Sequence, residues 1–234
     1  MPGRVAVRAA LPFAAVILAG GRASRLGGTD KPGQLVGGRT LAAAVVAAAV
    51  EAGARRIVLV GPPRPELRTL AAGLPGGLTT VREEPPGAGP LPALRCGLRQ
   101  VHDERTAVLA ADLPFLRADV LVALLAAAEA GQAGAVLADE AGRPQWLAGC
   151  WRTSALRLAL RDYAGAALRG LLAPLDPVVL RCDPAAGQPP PWLDCDTPEE
   201  LALARRLQQQ PSLAVCPGSA GASADAEPPT EGMR

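Results

Sequence analysis

Aromatic side chains, lysine and histidine are scarce in this sequence. Only 3% of the 234 residues are aromatic, and the chain has one lysine, Lys31, and one histidine, His102. Because there is a single histidine and no Cys-x-x-Cys pair among five cysteines, the spacing typical of zinc sites is absent. The odd number of scattered cysteines also argues against a disulfide framework, so we expect a reducing, cytoplasmic environment.

A strong excess of charge of either sign is missing as well. Lys and Arg number 24 against 22 Asp and Glu, which gives a formal net charge of +2. Binding to nucleic acid or to an anionic membrane depends on a concentrated basic patch, because counterion release provides much of the affinity. The charge balance therefore predicts neither a nucleic-acid partner nor a membrane partner.

The sequence contains no apolar run long enough to cross a bilayer. Residues 9–19 follow Arg4 and Arg8 and imitate a signal peptide, but this run is too short to span a membrane. Cleavage near Gly20 would remove the segment that we interpret as the first core strand. We therefore predict that the chain is not exported.

Apolar residues make up 49% of the chain and form short runs that alternate with helical patterns. This alternation predicts a three-layer α/β fold, with a mostly parallel sheet and helices on both faces. We expect one domain over residues 1–210 and a disordered tail over residues 211–234, where Pro, Ser and Gly predominate. The predicted strands cover residues 14–19, 57–60, 78–81, 107–111, 135–138, 146–151 and 178–180. The predicted helices cover residues 41–52, 90–101, 119–130, 153–161 and 166–172, with a last helix opened by the capping box at residues 197–200.

A glycine-rich segment follows the first predicted strand. It reads Leu-Ala-Gly-Gly-Arg-Ala-Ser-Arg-Leu-Gly-Gly-Thr-Asp-Lys over residues 18–31. Its glycines let the backbone approach a ligand and aim N–H groups at anionic oxygens, and Arg25 and Lys31 add full charges for phosphate. The carboxyl end of a parallel strand is also where open α/β sheets bind ligands. The segment therefore predicts a loop that wraps a nucleotide.

Two common phosphate motifs do not fit this segment. A P-loop requires Gly-Lys followed by Ser or Thr, but Lys31 lies between Asp30 and Pro32. The spacing of the glycines also differs from Gly-x-Gly-x-x-Gly. A solvated surface loop with two charges is the alternative interpretation, but it does not explain why the only lysine among 24 basic residues lies here.

The string L-A-G-G-x-x-x-R-x-G-x-x-D-K resembles the signature of the molybdenum cofactor guanylyltransferases and their MobA-like nucleotidyltransferase relatives. The resemblance runs from residue 14 to about residue 207 and implies a nucleotide-diphospho-sugar transferase-like fold. It also implies GTP binding by Leu18, Ala19, Gly20 and Lys31, and binding of both GTP and Mg²⁺ by Asp112. Weaker matches follow in the family's order at residues 89–91, 111–114, 143–145 and 194–201.

Asp112 follows an apolar predicted strand, where a hydrophobic core would not place a charge. A single carboxylate together with nucleotide oxygens and waters suits octahedral Mg²⁺. Capping of a helix after Pro114 is the other interpretation of Asp112. Asp196 has the same two interpretations, a helix cap or a metal contact.

The sequence departs from the family's pattern at four positions. Glu84 stands ahead of the Gly-Pro-Leu segment, on the nucleotide side, where aspartate is more usual. Gly61 replaces an asparagine that is common at the end of the second strand, and Asp194 and Asp196 stand where many members have asparagines. These departures leave the phosphate chemistry intact, but they leave the base and the acceptor open.

Three further residues each have two interpretations. Gly89 begins a predicted helix, and its backbone could also contact a guanine base. Trp146 and Trp151 lie in one predicted strand, where they could pack in the core or stack on a pterin.

These features predict an enzyme that transfers GMP from GTP to a phosphorylated acceptor, with molybdopterin expected, and releases pyrophosphate. The predicted catalytic residues are Arg25, Lys31 and Asp112, with Mg²⁺ on Asp112. The predicted nucleotide contacts are Leu18, Ala19, Gly20, Gly21, Lys31, Glu84, Gly89 and Asp112. The alternatives are a transferase that uses CTP or another NTP on a different phosphorylated acceptor, and a nucleotide-binding module without turnover. We expect a monomer or a weak homo-oligomer.

Overall fold

A computed structural model describes residues 12–20, 30–131, 133–182, 184 and 188–209. Its strands are β1 (Phe13–Leu18), β2 (Leu35–Val36), β3 (Arg39–Thr40), β4 (Ala54–Val60), β5 (Leu78–Val81), β6 (Arg105–Ala110), β7 (Gly134–Ala138), β8 (Pro144–Arg152) and β9 (Val178–Arg181). Its α-helices are α1 (Leu41–Glu51), α2 (Leu67–Leu70), α3 (Pro90–Leu98), α4 (Ala118–Ala130), α5 (Thr153–Asp162), α6 (Leu168–Leu172) and α7 (Pro198–Gln209). Short 3-10 helices cover Lys31–Gly33 and Ala173–Leu175.

Seven strands form the main sheet in the order β5-β4-β1-β6-β8-β7-β9. Among these described strands, β8 alone runs antiparallel to its neighbours β6 and β7. The mostly parallel sheet expected from the sequence is thus confirmed. The β2–β3 hairpin and helix α2 were not predicted, because two-residue strands and a single helical turn are too short to show a hydrophobic period.

Helices cover both faces of the sheet, as predicted. Helices α1, α2 and α4 bury their apolar side chains with one face of the strands, in a cluster that includes Ile17, Leu59 and Leu124. Helices α3, α5 and α6 cover the opposite face, where Val16 and Trp151 lie in a second cluster. The two clusters account for the continuous apolar runs of the strands, because a strand covered on both faces is apolar at every position.

Strand β1 is an interior strand of this sheet, and all six of its residues are buried. It pairs in parallel with β4 on one side and with β6 on the other. The ladder continues past the strand end, since the Ala19 amide donates to the Val60 carbonyl at 2.8 Å and the Ala111 amide donates to the Leu18 carbonyl at 3.1 Å. The carboxyl ends of β1, β4 and β6 therefore open onto one edge of the sheet.

A third apolar cluster attaches the C-terminal helix α7 beside this edge. Val36 and Leu41 pack there with Phe115, Cys195 and Leu201. The predicted capping box is confirmed: the Thr197 amide donates to the Glu200 carboxylate at 2.8 Å, and the Glu200 amide donates to the Thr197 hydroxyl at 3.2 Å. The start of α7, with the aspartates just before it, is held against the first half of the chain.

Some expectations fall outside the described residues. These are the middle of the glycine-rich loop, residues 21–29, and the tail, residues 211–234. Within the described part, no helix combines the length and the apolar character that a bilayer crossing requires.

Helix α3 lies so close to the sheet that only glycine fits at position 97. A Cβ there would come within 2.6 Å of Val16 Cγ1 and 2.9 Å of Val60 Cγ2. We expect Gly97→Ala to lower the free energy of unfolding by about 1–2 kcal/mol, because overpacking outweighs the helix propensity that alanine adds. Urea denaturation measures this. Gly73→Ala is the control, since no heavy atom lies within 4 Å of its added Cβ. Equal or greater stability of Gly97→Ala would show that α3 is not packed this tightly.

Candidate active site

A cleft of about 1110 Å³ opens at the carboxyl edge of the sheet. Its walls are formed by residues 18–20 at the end of β1, residues 61–64 after β4 and residues 110–112 at the end of β6. Beyond β5, the lining residues are Arg82, Glu83, Pro86, Gly87, Gly89 and Pro90. Asp30, Lys31, Leu147 and Asp196 also line it. Small-molecule sites commonly measure about 300–1,000 Å³, so the volume of this cleft lies at the upper end for such a site.

Lys31 and Asp112 meet inside this cleft, although 81 positions separate them in sequence. The Lys31 ammonium donates to Asp112 Oδ2 and to Asp196 Oδ1. The Lys31 and Asp112 side chains are each 16% exposed, whereas Asp196 is 46% exposed. A lone lysine is thus held between two carboxylates that lie far from it, and from each other, in sequence.

The two carboxylates keep Lys31 charged. Burial alone would lower the pKa of Lys31, but the charges and hydrogen bonds of Asp112 and Asp196 outweigh it, so the pKa is raised above its ordinary value. An ammonium with a raised pKa remains a cation at neutral pH. It is therefore available to a phosphate that enters the cleft.

Asp112 has one carboxylate oxygen left for a ligand. While Oδ2 pairs with Lys31, Oδ1 is buried and has no hydrogen-bond partner in the described part of the chain. Residues 12–20, 30–131 and the other described segments hold no group of three or more His, Cys, Asp or Glu able to form a metal cage. One or two carboxylates beside a substrate site are what Mg²⁺ usually takes from a protein, so the residues present fit that ion. Asp112 does not cap a helix, because α4 begins at Ala118 after Arg117.

The acidic residue that enters the cleft beyond β5 is Glu83 and not Glu84. Glu83 is 5% exposed, and its Oε1 accepts from the Gly87 amide at 2.9 Å. Its Oε2 is buried without a described partner. Glu84 is exposed and does not line the cleft, because the side chains of an extended chain alternate in direction. The structure therefore places Glu83 in the cleft, and not the Glu84 that the sequence analysis named.

Leu18, Ala19, Gly20 and Gly89 all line the cleft. Gly89 also precedes α3 with a φ of 106°, so both interpretations of this residue, helix start and cleft contact, agree with its place. Arg25 and Gly21 lie outside the described residues. Their predicted roles stay predictions.

Backbone packing explains why position 61 is a glycine in this chain. The φ of Gly61 is 152°, and a Cβ there would lie 2.8 Å from the carbonyl carbon and oxygen of Ala19. The loop after β4 therefore approaches the nucleotide-side backbone more closely than an asparagine would allow.

The two tryptophans lie apart from the cleft. Trp151 is fully buried within the second core cluster, and Trp146 packs against the same cluster while half-buried. Trp146 also lines a separate depression with Arg143 and Arg169. For Trp151, the core interpretation is the one that the structure supports.

Comparisons with known proteins agree with this geometry. A family model for the MobA-like NTP transferase domain matches residues 15–178. A molybdenum cofactor guanylyltransferase from Bradyrhizobium sp. (strain ORS 278) is 33% identical over 212 residues, which cover 82% of this chain and 91% of that protein. A nucleotidyl transferase structure from Methanothermobacter thermautotroptrophicus has a TM-score of 0.63 at 20% identity, covering 84% of this chain and 97% of that one. The structure of molybdopterin-guanine dinucleotide biosynthesis protein A from Archaeoglobus fulgidus has a TM-score of 0.56 at 20% identity, covering 83% and 97%.

Asp194 makes the stability of this region depend on pH. Burial and the charges of Asp112, Asp196 and Glu200 raise its pKa to about 6, against the opposing effect of Lys31. An unfolded aspartate titrates near pH 4, so between these values the folded state binds more protons and the free energy of unfolding falls as pH rises.

We therefore expect Asp194→Asn to be more stable than the parent chain at pH 7.5 by about 1 kcal/mol, a figure reduced for solvent screening. At pH 4 the two should be equal, because the protonated carboxyl resembles the amide. Urea denaturation at both pH values, without nucleotide or Mg²⁺, measures the difference. Glu51→Gln, on an exposed side chain, is the control. A gain that is the same at both pH values would contradict the raised pKa.

Proposed function

Because the chain belongs to the MobA-like NTP transferase family, we propose that it transfers GMP from GTP to the phosphate of molybdopterin and releases pyrophosphate. The observation that carries the proposal is the meeting of Lys31 and Asp112 in one cleft at the carboxyl edge of the sheet. The guanylyltransferase relative from Bradyrhizobium supports the choice of GTP and of a pterin acceptor. We place the protein in the cytoplasm as part of the same proposal. The four cysteines within the described residues are free thiols, which is compatible with a reducing compartment.

The reaction needs positioning and charge neutralisation more than it needs a base. An oxygen of the acceptor phosphate attacks the α-phosphorus in line and forms a new P–O bond. The bond from the α-phosphorus to the bridging oxygen breaks, and pyrophosphate leaves with the electron pair. An acceptor phosphate is already anionic, so no residue has to remove a proton. This agrees with the position of His102, which is exposed and outside the cleft.

Lys31 is the residue placed to stabilise the transferred group. Its ammonium exchanges the Asp112 and Asp196 carboxylates for phosphate oxygens when the nucleotide binds. Donors held in place before the reaction stabilise developing charge without reorganising at the moment of transfer. The two aspartates thus hold the Lys31 ammonium inside the cleft until the substrate binds.

Asp112 is the residue that would hold Mg²⁺, through the buried Oδ1 and the Oδ2 released by Lys31. When bound there, the ion would neutralise the negative charge of the phosphate oxygens. Asp196 lies close enough to share this role, since its carboxylate contacts the same ammonium as Asp112. No further carboxylate from the described residues is required.

Glu83 gives the cleft a means of selecting guanine. A carboxylate accepts hydrogen bonds only, and the Watson–Crick edge of guanine offers two neighbouring N–H donors, whereas the same edge of adenine offers an acceptor beside its donor. The unpartnered Oε2 of Glu83 lies in the cleft near Gly20, whose added Cβ would be 3.5 Å away. An unpaired buried acceptor is costly, so a base that supplies the missing donor is favoured.

The first test removes the two central groups. We expect Lys31→Ala and Asp112→Ala each to reduce pyrophosphate release from GTP, Mg²⁺ and molybdopterin by ~10²–10³ or more, with the fold retained. Circular dichroism checks the fold. Asp162→Ala is the control, because that carboxylate is 66% exposed in a surface pair with Arg161. Activity like that of the parent chain in either cleft variant would refute the assignment.

The second test concerns the base. We expect Glu83→Gln to weaken GTP binding about 10- to 100-fold, because a hydrogen bond to a charged group is worth about 1.5–3 kcal/mol. Glu84→Gln is the matched control and should bind GTP like the parent chain, since Glu84 is exposed. Isothermal titration with GTP, ATP and CTP in the presence of Mg²⁺ measures both. If the parent chain prefers CTP, or if Glu84→Gln is the weaker binder, this account of base selection is wrong.

A further inference from the structure

Arg64 is a charged residue in an unusually buried position. It lies in the loop after β4, and its side chain is only 7% exposed. Its guanidinium forms a two-pronged pair with Asp30: Nη1 donates to Oδ2 at 3.0 Å, and Nη2 donates to Oδ1. Paired N–H bonds from one guanidinium to one carboxylate fix the relative orientation of both groups. Arg64 therefore ties the loop after β4 to the residue just before Lys31.

The backbone next to Lys31 leaves room for the ion pair between Asp30 and Arg64. Asp30 immediately precedes the 3-10 helix Lys31–Gly33, in which Pro32 restricts the backbone. A Cβ at Gly33 would overlap the Asp30 carboxylate and would lie 3.2 Å from Arg64 Nη1. Glycine at position 33 thus leaves the space that the Asp30–Arg64 pair occupies.

We infer that Arg64 is a positioning residue that acts on Lys31 through Asp30. The inference rests on the proposed function, because it assigns to Arg64 the task of keeping the Lys31 ammonium in reach of Asp112 and of the incoming phosphates. A lysine side chain has many rotamers, so its ammonium is held precisely only if the backbone that carries it is also fixed. The pair of Arg64 with Asp30 fixes the backbone next to Lys31.

A direct role of Arg64 is the alternative that the test must exclude. Arg64 lines the cleft, and its Nε is buried without a described partner, so the guanidinium could contact phosphate itself. The two roles differ in their dependence on Asp30. If Arg64 acts through Asp30, removing the Asp30 charge reproduces the loss of Arg64; if Arg64 binds phosphate, removing that charge leaves it free to do so.

The experiment is a double-mutant cycle with Arg64→Met, Asp30→Asn and both changes together. Misplacement of a catalytic group by about 1 Å costs ~10² in rate, so we expect each single variant to lower kcat by about 10- to 100-fold with a smaller change in KM for GTP. The double variant should be no slower than the slower single variant. Arg64→Lys should remain impaired, because an ammonium keeps the charge but not the two-pronged geometry. Arg68→Met, an exposed arginine on α2, is the matched control and should match the parent chain.

A second readout follows Lys31 without any catalysis. Because Lys31 is the only lysine, acetylation by an amine-selective reagent can be followed by mass spectrometry on the single tryptic peptide of residues 26–39. At one fixed pH and without nucleotide, we expect Arg64→Met and Asp30→Asn to be acetylated several-fold faster than the parent chain and Arg68→Met. The reason is that Lys31 leaves its carboxylate partners more often once the tie is broken.

These outcomes separate the two hypotheses. If the parent chain transfers no GMP, the proposed function fails, and the acetylation rates still test the tie. Parent-like kcat in Asp30→Asn would overturn the inference, as would a double variant whose loss is the product of the single losses. Unchanged acetylation of Lys31 in both single variants would overturn it as well. Asp30→Asn keeps the test decisive even if Arg64→Met does not fold, because Asp30 is 59% exposed.

Discussion

The contact of the Lys31 ammonium with the Asp112 and Asp196 carboxylates is the interaction on which the cleft depends. It joins three segments that lie 81 and 165 positions apart in sequence. The three residues are carried by different elements. Lys31 follows the interior strand β1, Asp112 follows the neighbouring β6, and Asp196 precedes the capping box of α7. The parallel sheet brings the Lys31 and Asp112 segments to its carboxyl edge, and the third apolar cluster holds the start of α7 beside that edge. Packing far from the cleft thus determines whether its charges meet.

The charge balance of the cleft supports the proposal that a triphosphate would bind there together with a divalent cation. The described lining residues include four carboxylates, Asp30, Glu83, Asp112 and Asp196, and three cations, Lys31, Arg64 and Arg82. Two of the cations are already paired with carboxylates, so little positive charge remains for a polyanion. Asp194 adds to the excess, and burial together with the charges of the neighbouring carboxylates raises its pKa to about 6. A nucleotide that arrives with Mg²⁺ brings the missing positive charge with it.

The sequence predicted the architecture better than it predicted the details of the site. Most predicted strands and helices lie within about three residues of the observed bounds, because burial on both faces of a parallel strand leaves a clear apolar run. Lys31 and Asp112 were found because a glycine-rich turn and a charge at a strand end are local signals. Arg64 and Glu83 were not singled out from the sequence, since their places in the cleft depend on contacts with Asp30 and Gly87 that no local pattern records. One local signal for Glu83 was available: in an extended chain, residues two positions apart point to the same side, so Glu83 shares the side of Val81 and Glu84 does not.

The most direct measurement is a crystal structure with Mn²⁺ and a GTP analogue carrying a methylene group between the α- and β-phosphates. The account predicts an anomalous peak beside Asp112 and the Lys31 ammonium on phosphate oxygens instead of on the aspartates. It also predicts the guanine ring against Glu83. A nucleotide bound elsewhere, with Lys31 still held by Asp112 and Asp196, would contradict the central claim that these residues form the phosphate site.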